Sequence, residues 1–432
     1  MKNFSIHLSY LFIIFLLLGA IGCNKKKNNS GKINNSVAVE LDNSDCSSVE
    51  EVIESITPVT IQLSGSRNYE HTLKFTDMVD KVEYIPLETT EDCLLGDFVE
   101  LISITENFIF MTSYGILFQF DRQGKFIRQI NKHGQGPGEC YAISVGLDEK
   151  RRLIYILGIR TLSVSVFDFD GKYLKTMKNP IEDESGIHSP SFMGCDSKGN
   201  ILYTFQNYGS MKYKYVAVNS EFEILYKCPN YVKYDLKERI FQFGLINYSI
   251  YEYNDRSYYS YVYNDTVFRI NDDYSCSPAW INRIPNKYTL EDDLKTGARV
   301  INYSDLNGKN CVGAIREYKK YIYIYHHLQQ SIDKFISFLS LYNKQTGQLT
   351  ENINPLIEND WDGGVDIELN EFMQHENIKY ELLQPFDMKE KLTSTHFSKT
   401  NAKYPEAQKA LQTIVNTILE DDNPVIMIIT LK

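Results

Sequence analysis

The sequence predicts an all-β protein: a six-bladed β-propeller of four-stranded antiparallel blades, with a short helical segment near the C-terminus. Three observations carry this expectation. Residues 92–130 recur without a gap 47 residues further on, so that Cys93 falls on Cys140, Phe108-Ile109 on Tyr155-Ile156, and Phe120-Asp121 on Phe167-Asp168. A repeat of that length, built of about four strands, is the signature of a propeller blade. Each copy alternates apolar and polar residues and closes on a tight turn, "FDRQGKF" and then "FDFDGKY". Finally, 31 tyrosines and an aromatic content of 13% suit pleated, half-buried surfaces.

From the N-terminus, Lys2 precedes an apolar run over 8–21, then Gly22-Cys23 and the polar tract "NKKKNNSGKINNS". This resembles a bacterial lipoprotein signal peptide whose lipobox is "AIGC"; Ala20 departs from the commoner leucine. A short apolar run followed by small residues marks export and cleavage. The resemblance implies a signal peptide over 1–22, a diacylglyceryl thioether on Cys23, and a stable membrane anchor through several acyl chains. Residues 23–70 then read as the lipidated cysteine and a flexible tether, since Asn, Ser and Lys cannot bury enough apolar surface to offset ordering entropy. The seven later cysteines are odd in number and widely spaced, and form no metal-ligand cluster. Cys93 and Cys140, at equivalent repeat positions, read as small core residues.

The propeller is expected over 73–432, opened by "KVEYIPLET". "FVELISITENFIFMT" with "ILFQFDRQGKFIRQI" makes one blade, and "AISVGLDEKRRLIYIL" with "SVSVFDFDGKYLKTM" the next. A third follows at "GCDSKGNILYTF" and "YVAVNSEFEILYK", where the final turn lacks its glycine, and a fourth over 239–270. "YIYIYHH" and "FISFLSLYNKQTGQLTENI" read as strands of a fifth and a sixth, after a helical or loop insertion around 288–310. Gly124, Gly171 and Gly347 stand where tight turns need positive φ. Near the end, Ala407, Leu411, Ile414, Val415 and Ile418 share one helical face, predicting a helix over 403–420 behind Pro405. The apolar run over 424–431 is a strand inserted into the last blade or paired with the N-terminal segment. Closing the ring in this way removes exposed sheet edges.

"FDRQGKFIRQINKHGQGPGECYAI" and "IYIL…SVFDFDGKYLK" resemble the six-bladed, NHL/TolB-like β-propeller lipoproteins of Gram-negative gut bacteria. "YIPLET", "YNDTVFRI", "ENDWDGGVDI" and "DDNPVIMIITLK" follow in the same order, so the likeness runs from about residue 73 to 432. It implies fold and location, and brings no established substrate or catalytic residue.

Three segments offer chemistry. In "HGQGPGE", glycines leave backbone amides approachable, and His133, Gln135 and Glu139 could contact a ligand. In "ENDWDGGVD", Asp360, Asp362 and Asp366 fall at spacings of a calcium loop, but Leu369 stands where a bidentate Glu is required. The expectation is therefore no cofactor, with a lone calcium on this loop as the alternative, and Trp361 is a further candidate ligand contact. The tyrosines of "YEYNDRSYYSYVY" (251–263) read as the outer surface of a blade or a sugar-stacking row. His326 and His327 are adjacent on a strand, so their rings face opposite ways and cannot chelate jointly. No catalytic motif is present.

A net charge of −11 and a pI near 5.4, without a basic patch, exclude nucleic acid as a partner. The expectation is a lipid-anchored module of the cell envelope, at the outer membrane facing the periplasm. It would bind an envelope protein or a glycan through its channel mouth and loop face. The alternative is a hydrolase or lyase acting on glycan or peptide in the central channel, which requires convergent carboxylates there.

Overall fold

The structure is a computed structural model. It describes residues 57–432 except 66–67, 97, 160–162, 179, 181–191, 206–210, 234–247, 262–263, 290, 293–306, 332–333, 370–376, 393–396 and 398–401. The signal segment, Cys23 and most of the expected tether, all in the unit Met1–Thr57, lie outside the described residues. The strands and helices all belong to the unit Pro58–Lys432.

In chain order the elements begin with β1 (Val59–Gln62), the short helix α1 (Phe75–Met78) and β2 (Val79–Pro86). Blade 1 is β3 (Val99–Ile104), β4 (Phe108–Ser113), β5 (Ile116–Asp121) and β6 (Phe126–Gln129). Blade 2 is β7 (Ala142–Asp148), β8 (Leu153–Gly158), β9 (Val164–Asp168) and β10 (Tyr173–Met177); blade 3 is β11 (Phe192–Cys195), β12 (Ile201–Thr204), β13 (Tyr213–Val218) and β14 (Ile224–Pro229). Blade 4 is β15 (Tyr248–Tyr253), β16 (Arg256–Tyr261), β17 (Thr266–Ile270) and β18 (Cys276–Arg283); blade 5 is β19 (Asn310–Glu317), β20 (Tyr321–Ser331), β21 (Lys334–Asn343) and β22 (Leu349–Ile353). The hairpin β23 (Leu356–Ile357) and β24 (Ile367–Glu368) leads into blade 6. There β25 (Ile378–Leu383), the helices α2 (Pro385–Leu392) and α3 (Pro405–Thr417), and β26 (Val425–Leu431) follow.

These are six antiparallel blades in a ring. The runs "YIYIYHH" and "FISFLSLYNKQTGQLTENI" belong to one blade rather than two: β20 and β21 pair along ten registered positions. With no turn motif of the earlier type between them, these two long consecutive strands read as belonging to separate blades. The sixth blade is built from both ends of the chain. Among the described residues its ladder is β25–β26–β2, with Val79 opposite Leu431 and Pro86 opposite Val425. The apolar C-terminal strand is therefore central, held by its own blade on one edge and by the N-terminal strand on the other.

Side-chain alternation along each strand supplies the two faces that a stacked blade must bury. On β4, Ile109 and Met111 join the core between blades 6 and 1, while Phe110 joins the core between blades 1 and 2. On β26, Met427 and Ile429 pack towards blade 5 and Ile426 and Ile428 towards blade 1. Among the described residues six apolar clusters form, one between each pair of neighbours around the ring. The core is thus a set of blade interfaces with no single centre.

The propeller also starts earlier than the composition suggests. β1 adds in parallel to β18, with Val59 opposite Trp280 and Gln62 opposite Arg283, making blade 4 five-stranded. The chain then runs past blade 5, where the Glu70 amide donates to the Asn352 carbonyl at 2.9 Å, before α1 and β2 enter blade 6. Ile61 and Leu63 are buried in the core between blades 4 and 5. The described residues of 58–74 form a strap across three blades.

The recurrent tight turn between third and fourth strands repeats one device. Asp121 Oδ1 accepts from the Gln123 and Lys125 amides, Asp168 Oδ1 from Asp170 and Lys172, and Asn219 Oδ1 from Glu221 and Glu223. Gly124 and Gly171 take φ of 84° and 78°; in blade 3 the same place is Phe222, at 66°. There the Asn219 side chain and the buried Phe222 ring hold a conformation that a side chain ordinarily resists.

Candidate functional site on the loop side

Strand register divides the propeller into two sides of different chemistry. In blade 1, Val99, Ser113, Ile116 and Gln129 sit at one end of the sheet, since Val99 pairs with Ser113, Ser113 with Ile116, and Phe118 with Gln129. That end carries the second-to-third strand turns and the connections between blades. The other end carries the tight hairpin turns.

The hairpin side is polar and locked from blade to blade. Arg151 Nη1 reaches the buried Asp148 carboxylate at 2.7 Å and the Lys198 and Gly199 carbonyls of the next blade at 3.2 Å. Ser197 Oγ donates to the Asp255 carbonyl, and Lys198 Nζ to Asp272 at 2.7 Å. Lys344 bridges the buried Glu317 at 2.9 Å and the Tyr253 hydroxyl at 3.0 Å. These donors and acceptors already serve one another.

The loop side presents apolar rings. Tyr114, on the β4–β5 turn, is 47% exposed and meets Phe98 edge-on, with ring centroids 5.5 Å apart. Beside them His133 stacks on Tyr141 at 5.0 Å and 20°, its Nε2 lying 2.8 Å from the Tyr114 carbonyl. Two glycines make this corner: a Cβ at Gly96 would stand 2.2 Å from the Tyr114 ring, and one at Gly115 would stand 2.7 Å from the Tyr141 ring. The rings lie directly against backbone, so the corner is rigid. Further round the same side, Tyr231 follows β14 at 81% exposure and Phe335 stands exposed at the start of β21. Between blades 3 and 4 a groove is lined by Phe205, Tyr213, Tyr259, Tyr261 and Phe268, with Lys214, Asn230 and Asn264 as polar members.

The glycine-rich loop lies in this corner, and its predicted contacts divide. His133 and Gln135 are exposed. Glu139 turns inward: its carboxylate accepts from the Gly136 amide at 3.0 Å and pairs with Lys132 at 3.0 Å. Those two contacts, the amide first, hold its carboxyl below the usual range. A residue so occupied shapes the loop, and at the surface stand His133 and Gln135, beside the rings Phe98, Tyr114 and Tyr141. Sequence reasoning missed those three rings, although an aromatic beside a turn glycine ("SYGI", "GDF") was the available signal.

The acidic loop is arranged for closure. Asp360 accepts from the Thr76 amide at 3.0 Å and the Thr76 hydroxyl at 2.6 Å; Asp362 accepts from the Tyr84 hydroxyl at 2.9 Å and the Gly364 amide at 2.8 Å; Asp366 accepts from the Asn359 amide at 2.8 Å. Each carboxylate goes to a different protein donor, and among the described residues no group of three or more His, Cys, Asp or Glu side chains converges. Burial raises the Asp362 carboxyl above its ordinary range. Trp361 is half-buried against Tyr404, ring centroids 4.1 Å apart. Thr76 and Tyr84 belong to α1 and β2, so the loop fastens the segment by which the N-terminal chain enters blade 6. The tyrosine run does not form an exposed row: Tyr251 and Tyr258 stack inside the interface of blades 4 and 5 at 4.9 Å, and Tyr259 packs towards Tyr215 of blade 3. Tyr263 lies outside the described residues.

Comparison with known proteins places this architecture. Residues 58–430 match the model of a domain of unknown function, DUF4934. The chain belongs to the DUF4934 family. The match begins at the strap, in agreement with the start of the fold. A crystal structure of a putative exported protein from Bacteroides fragilis is similar over 87% of this chain and 100% of that one, at 17% identity and a TM-score of 0.61. A DUF4221 family member from Bacteroides vulgatus aligns over 82% of this chain and 97% of its own, at 10% identity and a TM-score of 0.47. No curated protein matches in sequence.

Proposed function

We propose that this DUF4934 propeller is a binding module of the cell envelope that receives its ligand, a glycan or a segment of an envelope protein, on the loop side. The observation carrying the reading is the split between sides: exposed rings gather around Tyr114 and His133, while the hairpin side carries polar contacts from blade to blade such as Arg151 to Gly199 and Lys344 to Tyr253. Rings with one apolar face and a polar tip suit both sugar stacking and protein contact. Rigid blades beneath such loops are the usual scaffold for recognition.

The location belongs to the same proposal. The "AIGC" motif assigns Cys23 as the lipidated residue of an NHL/TolB-like envelope lipoprotein, held at the outer membrane and facing the periplasm. Among the described residues no helix is long and apolar enough to cross a membrane.

The test pairs two variants. Tyr114→Ser with Phe98→Ser alters the loop side, and Lys198→Ser with Lys175→Ser alters the hairpin side. Retention of an envelope extract and of a glycan array is compared with wild type. Loss on the loop-side variant alone supports the reading; equal retention by all three sinks it. Fractionation of Cys23→Ala tests the anchor separately, since a variant that stays membrane-bound removes lipidation at Cys23.

A further inference from the structure

We propose that Cys228 and Cys276 are a disulfide-forming pair that ties blade 3 to blade 4. Their spacing concealed this, because the cysteines lie on outer strands of different blades. Cys228 is near the end of β14 and Cys276 opens β18, and their sulfurs stand 4.0 Å apart. Both belong to the apolar cluster between these blades, with Tyr215 directly opposite Cys228 on the neighbouring strand. Two other cysteines are otherwise engaged: Cys93 and Cys140 sit against the amides of Asn423 and Asn131.

The surroundings give the two thiols different parts. Cys228 is buried, whereas Cys276 is half-buried just beyond the turn at 271–275, where a reagent can reach it. Contact with Cys228, then the nearby Lys214 ammonium, favours a thiolate on Cys276, while the same contact and burial keep Cys228 protonated. The attacking sulfur in exchange is the thiolate.

The Cys276 thiolate attacks one sulfur of an acceptor disulfide, of the glutathione type or on an exchange protein, and expels one thiolate. Cys228 then gives up its proton and attacks the Cys276 sulfur, expelling the second. The two protein thiols lose two electrons and two protons, and the acceptor leaves as two thiols. Forming the bond requires the sulfurs to close from 4.0 Å to about 2.05 Å. The product clamps the blade pair that also frames the aromatic groove, and it stands independently of the binding reading.

The full-length protein is equilibrated in a mixture of reduced and oxidised glutathione, alkylated and mapped by mass spectrometry without reduction. We expect a linked peptide containing Cys228 and Cys276. Reduction should then lower the melting temperature by roughly 3–6 °C, a shift lost in Cys228→Ser and kept in Cys195→Ser. Recovery of both cysteines alkylated from the oxidised, folded protein overturns the proposal. So does glutathione that stays on Cys276 without being displaced by Cys228.

Discussion

Asn423 holds Cys93 across the ring closure as Asn131 holds Cys140 between the first two blades. Asn423 Nδ2 donates to the Cys93 carbonyl at 2.7 Å while its Oδ1 accepts from the Leu95 amide at 2.8 Å. Asn131 Nδ2 donates to the Cys140 carbonyl at 2.9 Å and its Oδ1 accepts from the Leu117 amide at 2.7 Å. Both asparagines are buried. The two cysteines are the equivalent positions of the 47-residue repeat, so one buried amide serves each junction, once within a continuous chain and once where the chain's ends meet.

Replacing Asn423 by alanine leaves the Leu95 amide without its partner in the interior, leaves the Cys93 carbonyl only the Thr90 amide at 3.5 Å, and removes the donor to the Glu88 carbonyl. Each buried group left without a partner costs about 1–3 kcal/mol. We expect Asn423→Ala to lose about 3–5 kcal/mol in denaturant unfolding, and Asn131→Ala to match it within about 1 kcal/mol. A loss under about 0.5 kcal/mol would show that closure does not depend on this side chain.

Acid should weaken the protein through His326. His326 is 1% exposed and its ring stacks on Phe338 at 5.4 Å. Burial, with His327 beside it, pushes its pKa down to about 4. A base whose folded value lies below its unfolded value of about 6.5 binds protons first in the unfolded state. Stability is therefore complete above pH 6.5 and falls as pH drops towards 4, by about 3 kcal/mol in all. His326→Leu should flatten that fall when guanidinium unfolding is measured at pH 7 and pH 4.5. An unchanged slope removes His326 from the acid response.

How far the sequence foretold this depended on whether a contact was local. The turns at Asp121 and Asp168 are made within five residues, so the repeat and its glycines revealed them directly. The C-terminal helix was equally legible, because Leu411, Val415 and Ile418 mark its buried face without help from elsewhere. The strap was not legible. Val59–Gln62 is too short and too ordinary to stand out from the polar tract before it, and its partner β18 lies more than 200 residues away. The partners of the acidic loop were hidden for a related reason: spacing alone shows carboxylates alternating, but Thr76 and Tyr84, which donate to Asp360 and Asp362, come from the other end of the chain. The cysteine pair in blades 3 and 4 was hidden in the same way.

Two turn glycines separate conformational strain from collision. Gly347 has φ of 71° and open space, with Tyr342 Oη the nearest atom to an added Cβ at 3.7 Å. Gly347→Ala should cost only the positive-φ penalty, about 1 kcal/mol. Gly124 has φ of 84°, and its Cβ would fall 2.2 Å from the Pro86 carbonyl oxygen on β2. That oxygen is backbone in the closing sheet and cannot swing aside. We expect Gly124→Ala to cost at least about 3 kcal/mol, read as the difference in denaturation midpoint between the two variants. Equal costs would mean that the turn of blade 1 is free to move off blade 6.

The strap gives the most direct test of where the fold begins. A chain starting at residue 58 keeps β1, whereas one starting at residue 73, where the sequence placed the propeller, exposes the β18 edge and removes Ile61 and Leu63 from the interface of blades 4 and 5. An open edge invites pairing between molecules. The shorter chain should aggregate on concentration or melt well below the longer one, and light scattering with thermal melting distinguishes them. Within the intact chain, Ile61→Ala should cost about 3 kcal/mol, as expected when a buried isoleucine is truncated in a packed interface. Indistinguishable melting of the two chains, with Ile61→Ala neutral, would mean that β1 only rests on blade 4 and that the ring is complete without it.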